Sequence, residues 1–349
     1  MYQDSNQKTI TTACIFGCKG LKLSSLEENF FRNVNPLGFI LFSRNIKSPQ
    51  QLKDLVFSLR SCTPHNCFIL IDQEGGSVQR LNPPFWKKYP PFSLFGDIYK
   101  DDPLLAKETL KLNLQIISSD LIGLGIDINC SPCLDIPRNG ASSIIGNRAF
   151  SMNEKIVSSL AKDACLTFIK AGIVPVIKHI PGHGACLVDS HKELPKVNTS
   201  ISSLKSIDCA PFKSVSHLPV AAMTAHAVYN KVDFEQPATL SNIVIDEIIR
   251  EFINFKGLLI SDDLCMNALV GNFAKRASNS ISAGCDIVLH CSGVMKEMEE
   301  IASVIKPVSK KALKAIKILD GYRGKPKVEI DRDKAIFNLS NLISDYELS

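Results

Sequence analysis

Short apolar, β-rich runs recur along the chain, and between them lie stretches whose apolar positions repeat at helical spacing. Eight runs predict strands: Thr12 to Gly17, Gly38 to Phe42, Cys67 to Asp72, Gly125 to Cys130, Ile173 to Lys178, Pro219 to Thr224, Gly257 to Ser261 and Cys285 to Cys291. Several, such as Phe39-Ile40-Leu41-Phe42 and Leu258-Leu259-Ile260, are apolar throughout instead of alternating, as in parallel strands covered on both faces. Pro49 to Leu59, Leu105 to Leu124, Glu154 to Ala171 and Leu240 to Phe252 have the length and amphipathicity of crossover helices. Eight β/α units predict an α/β fold, a single closed (β/α)8 TIM-type barrel over 1–349, with a doubly wound open sheet as the alternative. From about Pro307 the chain turns basic (Lys310-Lys311, Lys325-Pro326-Lys327) and reads as a last helix plus a tail with solvated charges.

Composition narrows the function more than the fold. With 349 residues, 45% hydrophobic and 21% charged, the chain has ample apolar side chain for a core, and disorder is excluded. A net charge of +5, spread along the chain, is too small for a nucleic-acid footprint. Met1-Tyr2-Gln3-Asp4-Ser5 has neither a basic nor an apolar leader region, and no apolar run is long enough to span a membrane. A soluble, cytoplasmic protein is expected, acting as a monomer. Its 12 cysteines then stay reduced, and most, such as Cys165 and Cys285, are small core residues. Cys130-Ser131-Pro132-Cys133 has the spacing of a metal or redox pair but no matching second pair follows, so no metal and no cofactor are expected.

In a barrel the chemistry sits where strands run into the following loops, and the polar clusters fall there. The third strand leads into Asp72-Gln73-Glu74-Gly75-Gly76, the fifth into Lys178-His179-Ile180-Pro181-Gly182-His183-Gly184, the sixth into His226, and the seventh into Asp262-Asp263. One charged residue beside a buried strand can be a satisfied ion pair, but four clusters at four strand ends are hard to explain as packing. The glycines fit neither GxGxxG nor the P-loop, and they suit sharp turns beside a ligand. Pro181 and Gly182 between His179 and His183 prevent a helical zinc-protease motif. In the loop from Gly184 to Leu194, Asp189 stands two residues before His191, where it can orient the ring and raise its proton affinity, as a proton donor requires. Asp262 would then be the nucleophile or electrostatic stabiliser of glycoside hydrolysis. Successive side chains at a strand end point to opposite sides, so one of Asp262 and Asp263 faces substrate, and chain order does not say which.

These segments make the sequence resemble family 3 glycoside hydrolases, and among them the cytoplasmic bacterial β-N-acetylhexosaminidases. The resemblance rests on Gly38-Phe39-Ile40-Leu41-Phe42-Ser43-Arg44-Asn45-Ile46, Ile71-Asp72-Gln73-Glu74-Gly75-Gly76 with Val78-Gln79-Arg80, and Gly146-Asn147-Arg148-Ala149-Phe150. It continues through Lys178 to Gly184, Asp189-Ser190-His191-Lys192, Met223-Thr224-Ala225-His226 and Ser261-Asp262-Asp263-Leu264-Cys265-Met266. It implies a single (β/α)8 domain that removes β-linked N-acetylglucosamine from non-reducing ends with retention. It further implies that Asp262 is the nucleophile, His191 the acid/base with Asp189 behind it, and Asp72, Arg80, Arg148, Lys178 and His179 the sugar-binding residues. A muropeptide or a chitooligosaccharide is the implied small-molecule substrate, with no nucleic acid or membrane partner. Two departures stand out: Ser77 replaces the arginine usual after Gly-Gly, and Ile180 replaces the usual phenylalanine. The alternatives are a phosphorylase of the same family, since a histidine acid/base would let phosphate approach, a sugar-binding relative without activity, and a β-glucosidase, which would usually carry a second domain.

Overall fold

The computed structural model describes residues 10–138, 140, 145–186 and 194–347. Eight parallel strands close a barrel: β1 (Thr12–Gly17), β2 (Pro36–Leu41), β3 (Phe68–Ile71), β4 (Ile128–Asn129), β5 (Val174–Ile180), β6 (Ala221–Thr224), β7 (Leu259–Asp263) and β8 (Ile287–His290). Each pairs with its neighbours in chain order, and β1 meets β8 with Cys14 opposite Val288. The closed barrel is the expected one, and the open sheet is excluded.

Two apolar layers explain why the strands do not alternate. Ala13, Ile15, Phe68, Leu70, Val174, Val176 and Ile260 point into the barrel, while Cys14, Phe16, Ile69, Ile71, Ile177 and Leu259 pack outward on the helices. Both faces are therefore dry. The helices Pro49–Ser61, Pro103–Gly123 and Glu154–Ala171 lie where amphipathic spacing puts them, and each opens on a side-chain cap, from Ser48, Asp102 and Asn153. The fourth expected helix is present as a wide-turn helix, Val244–Phe252.

Strand boundaries shift for local reasons. β2 begins at Pro36, since a proline is tolerated at a strand's first position. β4 is shorter than Gly125 to Cys130 because the Asn129 side chain takes over part of the pairing, accepting from Gln73 N and donating to Gln73 O, both at 2.9 Å. β5 runs two residues beyond Lys178, which carries His179 inside the strand.

The C-terminal reading needs correction: the tail beyond the first helix contains a second one. Lys310–Asp320 seats Ala312, Ala315, Ile316 and Leu319 against the interior core, closing the end of the barrel where strands begin. Arg332–Glu347 packs on Pro103–Gly123, with Ala335, Leu339 and Ile343 buried and Arg332 Nε 2.7 Å from Asp120. Lys310, Lys311, Lys325 and Lys327 are exposed, as expected. No helix among the described residues is long and apolar enough to cross a membrane.

Candidate active site

A cavity of about 470 Å³ opens at the end of the barrel where strands finish. Asp72, Arg80, Arg148, Lys178, His179 and Asp262 all line it, so the structure brings together all six of these expected residues. Asp189 and His191 lie outside the described residues.

One wall is a buried ionic lattice. Lys178, on β5, reaches Asp72 Oδ1 at 2.8 Å and Glu74 Oε1 at 2.7 Å. Arg80 donates to Asp72 Oδ2 at 3.1 Å, and Arg148 forks onto Glu74 through Nε and Nη2 at 3.0 and 2.9 Å. Burial would raise both carboxyls, but Lys178 with Arg80 on Asp72, and Arg148 with Lys178 on Glu74, hold them below the ordinary range. Both are therefore anions at neutral pH. Gln73 folds the turn that delivers Arg80, accepting from Arg80 N and Leu81 N at 2.9 and 3.0 Å. Gly75, at φ +98°, makes that turn possible, and a Cβ there would lie 2.4 Å from Pro90 O.

A second wall is built around Asp135, which the sequence reading did not single out. Leu134 N donates to Lys178 O at 2.7 Å, which ties the loop after β4 to β5 and buries Asp135 under His179. The Asp135 carboxylate lies 2.6 Å from His179 Nδ1 and accepts from His183 N at 2.6 Å. Because the carboxylate only accepts, the Nδ1 proton is fixed and Nε2 is left for a ligand. The Lys178–His179 peptide is cis, and both side chains line the cavity. His183 lines it too; neither ring nitrogen has a hydrogen-bond partner among the described residues, and burial lowers its pKa to about 4. A neutral imidazole offers one donor and one acceptor to a polar group in the cavity.

Asp262 and Asp263 both touch the cavity, so facing alone does not separate them. Their partners do. Asp263 Oδ1 accepts from Cys265 N and Cys291 N, each at 3.0 Å, and burial raises its pKa. Asp262 Oδ1 accepts from Asp263 N at 2.8 Å; burial would raise it, yet the His226 and His179 rings bring it below the ordinary value. Asp263 is tied into backbone, while Asp262 is the carboxylate of the pair whose proton affinity is lowered.

A relay behind them clamps this dipeptide at both ends. His226 Nε2 lies 3.0 Å from Asp263 O, a pure acceptor, so that nitrogen carries the proton. Burial keeps the ring neutral, so Nδ1 accepts from the Thr239 hydroxyl at 2.7 Å. Thr239 in turn accepts from Thr224 at 2.7 Å, and Thr224 accepts from Asp262 N at 3.4 Å. Both nitrogens of His226 are thus engaged, which removes it as a proton donor to substrate.

The segment that carries Asp189 and His191 leaves the described structure three residues after His183, which lines the cavity. Gly184 packs so close to Ile136 that a Cβ would meet its carbonyl at 2.0 Å, and Arg138 N donates to Gly184 O at 3.2 Å. On the return, Pro195 O accepts from Val228 N at 2.9 Å and Lys196–Val197 pairs with Val228–Tyr229. Ser77, at the position of the missing arginine, donates to Asn147 Oδ1 at 3.0 Å. Glu74, Asp135, His183 and Thr239 are the residues sequence reasoning missed. Glu74 and His183 stand inside quoted motifs, whereas Asp135 and Thr239 carry no local signal.

Residues 19–317 match the glycosyl hydrolase family 3 N terminal domain. A beta-hexosaminidase of Alkalilimnicola ehrlichii is 36% identical over 282 residues, covering 80% of each chain. One from Neisseria meningitidis serogroup C is 39% identical over 272 residues, covering 76% of this chain and 74% of that protein. Among solved structures, NagZ from Neisseria gonorrhoeae in complex with N-trifluoroacetyl-D-glucosamine superposes with a TM-score of 0.85 at 30% identity, over 96% of this chain and 99% of that one.

Proposed function

The chain belongs to glycosyl hydrolase family 3, and we propose that it is a retaining, exo-acting β-N-acetylglucosaminidase built as one domain. The observation that carries this is an ionised Asp262 facing an ionic wall of Asp72, Lys178 and Arg80 across a cavity sized for a sugar. The names of the relatives and the N-acylated sugar in the gonococcal protein support the same reading. Asp72, Arg80, Arg148, Lys178 and His179 hold the hydroxyls and neighbouring groups of the terminal sugar. Asp262 attacks the anomeric carbon and forms a covalent glycosyl-enzyme. His191, oriented by Asp189, protonates the departing oxygen and then takes a proton from the water that releases the sugar.

The substrate that fits this reading is N-acetylglucosaminyl-1,6-anhydro-N-acetylmuramic acid, with or without peptide, in peptidoglycan recycling. The enzyme then acts in the cytoplasm as a monomer, which fractionation and sedimentation test. The chemistry is tested with Asp262→Ala. Turnover should be lost with sugar binding kept, and azide should restore product release as the α-glycosyl azide, because azide enters from the face the carboxylate has vacated. An Asp262→Ala enzyme of near-normal rate would refute the assignment. Accumulation of a sugar 1-phosphate when phosphate is added would turn the reading to a phosphorylase.

A further inference from the structure

At the ends of β7 and β8, beside the sugar cavity, a carboxylate oxygen of Asp263, the Cys265 sulfur and a ring nitrogen of His290 lie within 4.8 Å of one another. The Cys265 sulfur is 3.2 Å from His290 Nδ1. Proton positions follow from the far side of the ring. Ser292 donates its hydroxyl hydrogen to Glu297 Oε2 at 2.5 Å, so at 3.0 Å it accepts from His290 Nε2. That nitrogen carries the ring proton, and Nδ1 turns a lone pair toward Cys265. Three lone-pair atoms thus converge with one hydrogen, that of the thiol, to share.

We propose that Asp263, Cys265 and His290 form a binding site for a thiolate-loving divalent transition metal such as Zn²⁺, separate from the sugar-binding residues. One thiolate, one imidazole and one carboxylate, with a position left for water, is a tetrahedral zinc-type set. The step balances: the metal ion replaces the thiol proton, which leaves to solvent, and two anionic ligands neutralise the divalent charge. Metal–sulfur and metal–nitrogen distances of about 2.3 and 2.0–2.1 Å require a sulfur–nitrogen separation of about 3.6 Å, an opening of about 0.4 Å. The support around the set is already built. Glu297 Oε2 lies 3.2 Å behind His290 Nε2, the backing that metal-bound histidines use, and Phe16 and Phe273 hold the ring edge-on. Cys265 is the one partly exposed cysteine of the twelve, which gives the ion a way in. Since Asp263 N donates to Asp262 Oδ1, bound metal should also depress turnover; that consequence, unlike binding, rests on the proposed hydrolase reading.

The test is titration of the whole protein with Co²⁺ in a thiol-free reductant. The expected result is one equivalent bound, with a near-ultraviolet thiolate-to-cobalt charge-transfer band that Zn²⁺ displaces. Cys265→Ser should abolish the band, and Glu297→Gln should weaken affinity about 10–100-fold. As a check that needs no variant, Zn²⁺ should slow alkylation of Cys265, read by peptide mass mapping. Absence of the band in the unmutated protein, its persistence in Cys265→Ser, or an unchanged alkylation rate would overturn the proposal.

Discussion

Thr239→Val removes one hydroxyl from behind Asp262-Asp263 and leaves the volume nearly unchanged. The hydroxyl lies 2.7 Å from both Thr224 and His226 in a fully buried site. Without it the His226 Nδ1 lone pair and the Thr224 hydroxyl both lose a partner where water does not reach. Each orphaned group costs about 1–3 kcal/mol, so unfolding free energy should fall by about 2–6 kcal/mol. The kinetic effect arises because the relay ends on Asp262 N and Asp263 O. A nucleophile displaced by about 1 Å loses about 100-fold in rate, so kcat should fall by about 10–100-fold. KM should stay within a few-fold, because Asp72, Lys178 and Arg80 are untouched. Urea unfolding followed by tryptophan fluorescence reads the first effect, and steady-state hydrolysis of a nitrophenyl N-acetyl-β-glucosaminide the second. Thr239→Ser keeps the hydroxyl and should restore kcat. The reasoning fails if Thr239→Val matches the parent in urea midpoint and kcat, or if Thr239→Ser is as slow as the valine variant.

Glu74→Gln strips the buried wall of the anion that Lys178 and Arg148 share, and should cost about 3–5 kcal/mol in urea unfolding while raising KM. Acid should destabilise the fold through His183 and His290, whose folded pKa values of about 4 lie below the ordinary 6.5. Their contribution is intact above pH 6.5 and lost as pH falls toward 4, up to about 3 kcal/mol for each ring, and the stability–pH slope of His183→Gln should be shallower by one proton. His191→Ala should slow a disaccharide far more than a nitrophenyl glycoside, because a sugar alkoxide needs its proton and a phenolate scarcely does; equal slowing would assign the proton to another group. Asp189→Asn should move the alkaline limb of the pH–rate profile downward, read with the disaccharide.

The barrel was legible because its period is carried by local residues: most strands are dense apolar runs, and the long helices Pro49–Ser61, Pro103–Gly123 and Glu154–Ala171 bring their own caps and buried stripes. The ends of the strands announced the site for the same reason, as charges such as Asp72 and Lys178 stood out against apolar neighbours. What stayed hidden depends on contacts across the chain. Asp135 acquires its role from His179, 44 residues away, and Thr239 from Thr224 and His226. The difference in surroundings between Asp262 and Asp263 lies in backbone donors from Cys265 and Cys291 that a strand pattern does not display. The final helix was overlooked because its apolar stripe, Ala335, Leu339 and Ile343, is sparse and gains meaning only against the helix it packs on.

The seam between β1 and β8 joins the barrel's first strand in chain order to its last. Until β8 has emerged from the ribosome, β1 keeps a row of unpaired backbone groups flanked by Ala13, Cys14, Ile15 and Phe16, and the growing sheet keeps another at its opposite margin. Neither finds its barrel partner before β8 is made, so until then two adhesive edges are available to other molecules. A message cut short before Ile287 would therefore yield an open, self-associating sheet instead of a smaller barrel. The critical moment for closing this barrel comes when β8 emerges, as a single parallel pairing converts a liability into a closed surface.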